Sequence, residues 1–98
     1  MRTKEITAFI RDNAELFWFI PDERKAFVSD ECLVETVLNY GSMAAVIRLI
    51  KLLGMDNVAR IFAVSMMRSE RRRNNYNELS RNYFMKVFRR YAPQHFDG

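Results

Sequence analysis

The chain has 98 residues and a net charge of +4; 49% of its residues are hydrophobic, with only three glycines and two prolines. This composition indicates a packed helical domain with one modest core and excludes a disordered chain. The single cysteine, Cys32, excludes an internal disulfide, and with only one histidine, His95, a zinc site of Cys and His is excluded as well. No secretory pattern opens the sequence, so we expect a cytoplasmic protein.

The positive charge is concentrated in the last third of the chain. Residues 1–67 carry eight basic and nine acidic side chains, whereas residues 68–98 carry eight basic and three acidic ones. Such a surface can bind an acidic protein or nucleic acid, or it can remain in solvent or pair with the acidic remainder of the chain. The candidate contact residues are Arg68, Arg71, Arg72, Arg73, Arg81, Lys86, Arg89 and Arg90.

The first predicted helix runs from Thr3, its cap, to about Asn13. Five large apolar residues then follow in residues 16–20, a run that fits neither a strand nor an amphipathic helix, and Pro21 disfavours helix at Ile20. We interpret this run as a hydrophobic corner that closes one end of a bundle. The alternative is an exposed aromatic docking patch. Residues 22–27 should form a short helical turn.

The next two helices have clear boundaries. Ser29 should cap the first of them and Gly41 should end it. Residues 42–54 are apolar over most of a helical circumference, with only Arg48 and Lys51 charged, so we predict a central core helix covered on several sides. It should be capped by Ser42 and ended by Gly54 in a left-handed conformation, and it is too short and too charged to span a membrane.

Two further helices are predicted after Gly54. Asp56 or Asn57 should cap the first, with Val58, Ile61, Phe62, Ser65 and Met66 facing inward. Residues 68–75 should form a loop or a frayed helix end, in which Asn75 and Glu78 have the spacing of a capping box. The last helix should run from about Tyr76 to Tyr91, since apolar residues recur there at spacings of three and four. That predicted buried stripe comprises Tyr76, Leu79, Tyr83, Phe84, Val87, Phe88 and Tyr91.

No segment alternates apolar and polar residues between turn residues, so no strand is predicted. The sequence therefore predicts an all-α fold, a single compact bundle of about five helices with tight glycine turns. We expect one domain over residues 1–98, in which residues 92–98, from just before Pro93, form a loose tail.

The sequence contains no convincing catalytic or ligand-binding motif. Its three glycines are too far apart for a phosphate-binding loop, and His95 stands alone in the predicted tail as a surface residue. Cys32 has no neighbouring His or Asn to activate it and is interpreted as a small buried residue. We therefore expect no enzymatic activity, no metal and no cofactor.

A helix-turn-helix DNA-binding motif fits only weakly. The turn would be Leu53-Gly54-Met55-Asp56. A small residue usually lies four positions before the turn glycine and an apolar one six positions after it, but these positions hold Ile50 and Arg60. A divergent version of the motif remains an alternative.

A series of core and turn residues within residues 16–62 forms a recognisable pattern. It comprises Leu16-Phe17-Trp18, Leu33-Val34-Glu35, Val37-Leu38, Tyr40-Gly41, Leu49, Leu53-Gly54 and Val58. This pattern resembles that of a family of small bacterial all-helical proteins. Family members have a Leu-Phe-Trp corner, a helix that ends in Tyr-Gly and a following helix that ends in Gly. Several look like the small partner encoded beside abortive-infection-type nucleotidyltransferase toxins. The arginine-rich residues 68–73 and the longer last helix depart from that pattern.

The resemblance implies an antitoxin-like protein, and the charge asymmetry suggests how such a protein would bind. We expect a non-enzymatic protein-interaction module whose basic face, residues 68–90, meets an acidic surface of a protein partner. The alternative is a nucleic-acid-binding regulator that uses the same face. A third hypothesis is a homo-oligomer formed through exposed Phe and Met side chains.

Overall fold

The computed structural model describes residues 4–68 and 70–96, apart from the side chains of Ala26, Arg68, Arg71 and Arg72. The α-helices of the described residues are α1 (Lys4–Asp12), α2 (Asp30–Tyr40), α3 (Met43–Leu53), α4 (Met55–Arg68), α5 (Glu70–Arg73) and α6 (Glu78–Tyr91). Short 3-10 helices cover Ala14–Phe17, Asp22–Phe27 and Pro93–His95. With no strand in these ranges, the predicted all-α bundle is confirmed. None of the described helices is long and apolar enough to cross a membrane.

The ends of α2 and the start of α3 lie where the sequence predicted them. The hydroxyl oxygens of Ser29 and Ser42 accept hydrogen bonds from the backbone N–H groups of Cys32 and Ala45, at 3.1 and 3.2 Å. The N–H of Gly41 closes α2 and that of Gly54 closes α3. Gly54 has a φ of +91°, positive as predicted, although its ψ of 141° lies outside the left-handed helical region. The predicted cap Thr3 lies outside the described residues.

The start of α4 differs from the prediction. The carbonyl of Gly54 already accepts a hydrogen bond from the N–H of Val58 at 3.1 Å, so α4 follows Gly54 directly. Asp56 and Asn57 therefore lie inside the first turn and do not cap it. The Asn57 side chain instead donates to the carbonyl oxygen of Leu53 at 2.8 Å.

The centre of the bundle is formed by α2 and α4, not by α3. The two helices contact each other, and Leu33, Val34 and Val37 on α2 belong to the same fully buried cluster as Val58 and Phe62 on α4. The prediction that α3 is the central core helix is wrong, because α3 buries only Ala45, Val46 and Leu49. A chain of this length supplies too few neighbours to cover an all-round apolar helix, so part of that helix remains exposed.

The aromatic corner after α1 is split between core and surface. Phe17 is fully buried, and Leu16 and Ile20 are partly covered. Trp18, however, is 80% exposed, with its ring against that of Phe19 at a centroid distance of 5.8 Å. The corner is therefore part core and part exposed aromatic surface, and docking at its exposed part stays a prediction.

The segment between α4 and α6 is more helical than predicted. α4 continues to Arg68 and α5 covers residues 70–73, while Ser69 lies outside the described residues. The cap of α6 is Asn77 and not Asn75, since the Asn77 side-chain oxygen accepts from the N–H of Ser80 at 2.8 Å. The helix consequently begins at Glu78, two residues later than predicted.

Residues 92–96 pack against the bundle where a loose tail was predicted. Ala92 and Phe96 are buried, and the Phe96 ring lies 6.3 Å from the ring of Phe62. Beside them, the side chains of Gln94 and His95 bind the carboxylate of Asp56. Residues 97 and 98 of the predicted tail lie outside the described residues.

Candidate functional site

The last long helix, α6, has one buried face and one exposed face. Phe84 and Phe88 reach the core, where Phe88 packs on Phe62 with ring centroids 5.3 Å apart. Leu79, Tyr83, Lys86 and Arg90 follow one another at spacings of four, three and four, so they share the opposite face. All four are exposed, and we call them the α6 stripe. Its first half is apolar and its second half is basic.

The predicted buried stripe of α6 is only partly correct. Leu79 is 84% exposed, Tyr83 is 50% exposed and Tyr91 is also exposed, although all three were expected inside. The apolar residues of α6 cover too wide an arc for one core-facing strip, so those at its edges point to solvent. In the sequence, Leu79 and Tyr83 share one helical face with Lys86 and Arg90. The two charged residues indicate that this face is exposed.

A groove lies beside the apolar half of the α6 stripe. One wall is α3, with Met43 and Val46, and the opposite wall is the first two turns of α6. The end of α2 forms the floor with Leu38, Asn39 and Gly41. The volume of about 320 Å³ accommodates a few side chains and is at the small end of the range for ligand pockets. Ile47, also exposed, continues the Met43 face of α3 one turn further.

A hydrogen-bond network of asparagines holds the α6 wall of the groove in place. The Asn39 side chain donates to the carbonyl oxygen of Asn75 at 3.0 Å and accepts from the N–H of Asn77 at 2.9 Å. The Asn75 side chain also donates to the Glu35 carboxylate at 3.3 Å. The start of α6 is therefore attached to α2, which keeps Leu79 at the rim of the groove.

The structure places five of the eight predicted basic contact residues. Arg73 is exposed on α5, and Lys86, Arg89 and Arg90 are exposed on α6, whereas Arg81 is half-buried. Within the described residues none of the five forms an ion pair, and the Arg90 guanidinium lies 5.8 Å from the centroid of the Tyr91 ring. The side chains of Arg68, Arg71 and Arg72 lie outside the described part of the structure.

A second cavity lies where residues 93–96 meet α4. It is bordered by Arg60, Met67, Gln94 and His95. The Asp56 carboxylate lies 2.8 Å from Nε2 of His95 and accepts from the Gln94 amide at 2.7 Å. The hydrogen bond from His95, and then that from Gln94, holds the pKa of the Asp56 carboxyl below its ordinary value. This pair fastens the end of the chain to α4, so His95 is not the isolated surface residue that was expected.

Other reactive side chains are scattered through the described residues. Cys32 is half-buried, with its Sγ 3.9 Å from the hydroxyl of Thr36, so it is partly covered as a packing residue would be. In the same ranges, His, Cys, Asp and Glu do not gather into groups of three that could hold a metal ion. The groove and the α6 stripe are therefore the candidate site on which a function can be argued.

No protein-family model matches the chain, and no significant match was found among curated proteins or solved structures.

Proposed function

We propose that the chain is a non-enzymatic protein-interaction module that binds an acidic surface of another protein through the groove and the α6 stripe. The observation that carries this proposal is the order of side chains along one exposed helix face, where Leu79 and Tyr83 lead into Lys86 and Arg90. Apolar side chains of this size anchor an interface, and neighbouring cations orient the partner and speed its approach.

The grouping of exposed apolar residues supports the same proposal. Single exposed apolar side chains are common on protein surfaces, whereas adjoining ones mark contact sites. Met43 on α3 and Leu79 and Tyr83 on α6 border one groove from two sides, and each is at least half exposed. A partner side chain placed between them would remove apolar surface from water on both walls at once.

The family resemblance supports a more specific form, in which the partner is a nucleotidyltransferase-type toxin. Enzymes that act on nucleotides bind Mg²⁺ through carboxylates and substrate phosphates, so the mouth of such an active site is acidic when no substrate is bound. The basic half of the α6 stripe would complement that charge. Binding there would neutralise the toxin by steric and electrostatic masking.

Co-expression with the product of the adjacent gene tests this proposal. We expect the two proteins to purify as a complex. We also expect expression of this chain to restore the growth of cells that produce the partner protein. The double variant Lys86→Glu with Arg90→Glu should lose both properties. Lys4→Glu with Arg11→Glu, which changes the net charge equally at exposed positions of α1, should retain them. Absence of a complex together with absence of growth rescue would overturn the proposal that the partner is such a toxin.

Nucleic-acid binding is a second candidate function, and one observation favours it. Tyr83 and Tyr91 are exposed beside Lys86 and Arg90, so a single strand could stack its bases on tyrosine while its phosphates meet the cations. Fluorescence anisotropy with a labelled single-stranded oligonucleotide tests it across salt concentrations. Binding that weakens steeply with salt supports this function, and no binding at low salt removes it.

A further inference from the structure

We infer that one amphipathic helix of the partner lies along the α6 stripe, antiparallel to α6, with acidic residues in its first turn and apolar residues in the next two turns, and that its apolar side chains enter the groove. This inference rests on the proposed function and specifies what the partner presents. It follows from the length of the α6 stripe, the nature of the groove walls and the position of the two cations on α6.

The length of the stripe indicates how much of the partner is in contact. Leu79 and Arg90 are eleven residues apart on α6, which corresponds to about 16 Å along the helix axis. A partner segment that reaches both the apolar and the basic half must cover that distance. A helix of about three turns does so, and it can direct side chains from every turn toward α6.

The walls of the groove favour a helix over an extended peptide. An added strand binds through an open sheet edge, where unpaired backbone groups supply most of the affinity. Both walls here are helices, α3 and α6, so neither wall offers the open strand edge that an extended peptide needs. Recognition must therefore come from side chains, as when an amphipathic helix lies in a groove.

The direction of the partner helix follows from charge. Lys86 and Arg90 lie in the second half of α6, so the acidic residues of the partner belong there. Carboxylates are stabilised in the first turn of a helix by its dipole, which places the partner's N-terminus beside the C-terminal half of α6. Its later turns then pass over Leu79 and Tyr83, and the two helices run antiparallel.

A second copy of the chain fits the groove poorly. Two α6 helices in full antiparallel overlap would place Leu79 of each copy against Arg90 of the other, and Tyr83 against Lys86. Apolar residues would then face cations along the whole contact. A partner with the opposite order, acidic residues first and apolar residues after them, satisfies both halves of the stripe.

Selection from a displayed library of random peptides of about 16 residues, panned against the full chain at low salt, tests this inference. We expect the enriched sequences to carry Asp or Glu in one turn, followed by apolar residues at spacings of three and four. The synthetic consensus peptide should become helical on binding, as measured by circular dichroism. A peptide of the same composition with its acidic residues in the last turn should bind about tenfold more weakly, a difference near 1.4 kcal/mol.

Two variants of exposed residues connect the peptide to the groove. Leu79→Ser should weaken peptide binding about tenfold or more, because it removes an anchor from the rim. Met67→Ser, at another exposed apolar residue that borders the second cavity, should leave binding unchanged. Lack of an enriched acidic and apolar pattern, or binding that does not respond to Leu79→Ser, would overturn the inference.

Failure of the inference is separable from failure of the proposed function. If the co-expressed protein binds and Leu79→Ser leaves that complex intact, the inference that a partner helix binds at the groove is wrong, whereas the proposed interaction module stands. If the selected helical peptide binds the groove while the co-expression experiment yields neither complex nor rescue, the groove helix stands and the assigned partner is wrong. A dimer by light scattering that dissociates with Leu79→Ser would instead show a second copy in the groove.

Discussion

The backbone N–H of Asn77 donates a hydrogen bond of 2.9 Å to the side-chain oxygen of Asn39, which joins the start of α6 to the end of α2. The amide nitrogen of the same side chain donates to the carbonyl oxygen of Asn75 at 3.0 Å. One residue thus positions the turn that presents Leu79 at the rim of the groove.

Replacing this residue should weaken the fold and the groove together. Asn39→Ala removes both hydrogen bonds, and we expect the free energy of unfolding to fall by about 1–2 kcal/mol in urea titrations. Binding of a groove peptide should decrease as well. The control Asn82→Ala, at an exposed position of α6, should change stability by no more than about 0.5 kcal/mol. An unchanged stability in Asn39→Ala would contradict the positioning role.

The contact between His95 and Asp56 should make stability depend on acid pH. The pKa of the Asp56 carboxyl lies below its ordinary value of 3.8 because His95, and then Gln94, hydrogen-bond to the ionised form. Because the pKa is lower in the folded than in the unfolded state, the ionised carboxylate stabilises the fold at pH values above the unfolded-state pKa. This contribution is lost as the pH falls through the folded-state pKa. Asp56→Ala should therefore lower the melting temperature at pH 7, and its difference from the parent chain should shrink as the pH falls below 3.8.

Thermal unfolding of both proteins, followed by circular dichroism, measures that difference. The control Asn82→Ala, at an exposed position of α6 with no ionisable side chain, should show no such change with pH. A melting-temperature difference for Asp56→Ala that persists at low pH would show that packing, and not the ionised carboxylate, is responsible.

The hydroxyl of Tyr76 is buried without a hydrogen-bond partner among the described residues. The nearby Ser65 hydroxyl donates to the carbonyl oxygen of Ile61 at 3.1 Å and forms no hydrogen bond with the Tyr76 hydroxyl. An unsatisfied buried hydroxyl costs about 1–3 kcal/mol, so Tyr76→Phe should be at least as stable as the parent chain at pH 7. A loss of more than about 1 kcal/mol in urea titrations would contradict this assignment.

The same substitution should change stability at alkaline pH. Burial, and then the negative charge of Glu35, raises the pKa of the Tyr76 phenol above its ordinary value of 10.0. The folded state therefore favours the neutral phenol. Stability is lost once the pH exceeds the pKa of the phenol in the unfolded state. Tyr76→Phe should therefore lose less stability than the parent chain above pH 10.0, as measured by urea titrations.

Two phenylalanines should respond very differently to truncation. The Phe62 ring is fully buried, with ring centroids of Tyr76 and Phe88 at 5.1 and 5.3 Å. Phe62→Ala should lower the free energy of unfolding by about 3–5 kcal/mol, since it leaves a cavity in the aromatic core. Phe27 is 83% exposed, so Phe27→Ala should change the free energy of unfolding by no more than about 0.5 kcal/mol. Similar losses of stability in both variants, measured by urea unfolding, would contradict the placement of Phe62 in the core and of Phe27 at the surface.

Gly54 between α3 and α4 should not tolerate a side chain. Its φ of 91° and ψ of 141° lie in a region that L-residues rarely adopt. An added Cβ would have space, with the nearest heavy atom 4.0 Å away, so the cost is in the backbone alone. Gly54→Ala should lower the free energy of unfolding by about 1–3 kcal/mol, whereas Lys51→Ala, at an exposed position, should leave it nearly unchanged. Full stability in Gly54→Ala would show that the turn adopts another conformation.

Local interactions made parts of this fold predictable from the sequence. Ser29 and Ser42 cap helices through hydrogen bonds to residues three positions away, and Gly41 and Gly54 end helices through bonds to residues four positions back. Such bonds depend on short stretches of chain, so the residue types alone indicate them. The concentration of basic residues after position 67 was likewise visible in the sequence.

Tertiary structure alone decided which apolar residues are covered. The apolar periodicity of α6 and the all-round apolar surface of α3 indicate that other elements must cover these helices. They do not indicate how many covering elements a chain of 98 residues can provide. The contacts that settle the groove and the end of the chain join residues 38 and 39 positions apart, Asn39 with Asn77 and Asp56 with His95. No local pattern encodes such distant pairs, because they form only when the helices pack.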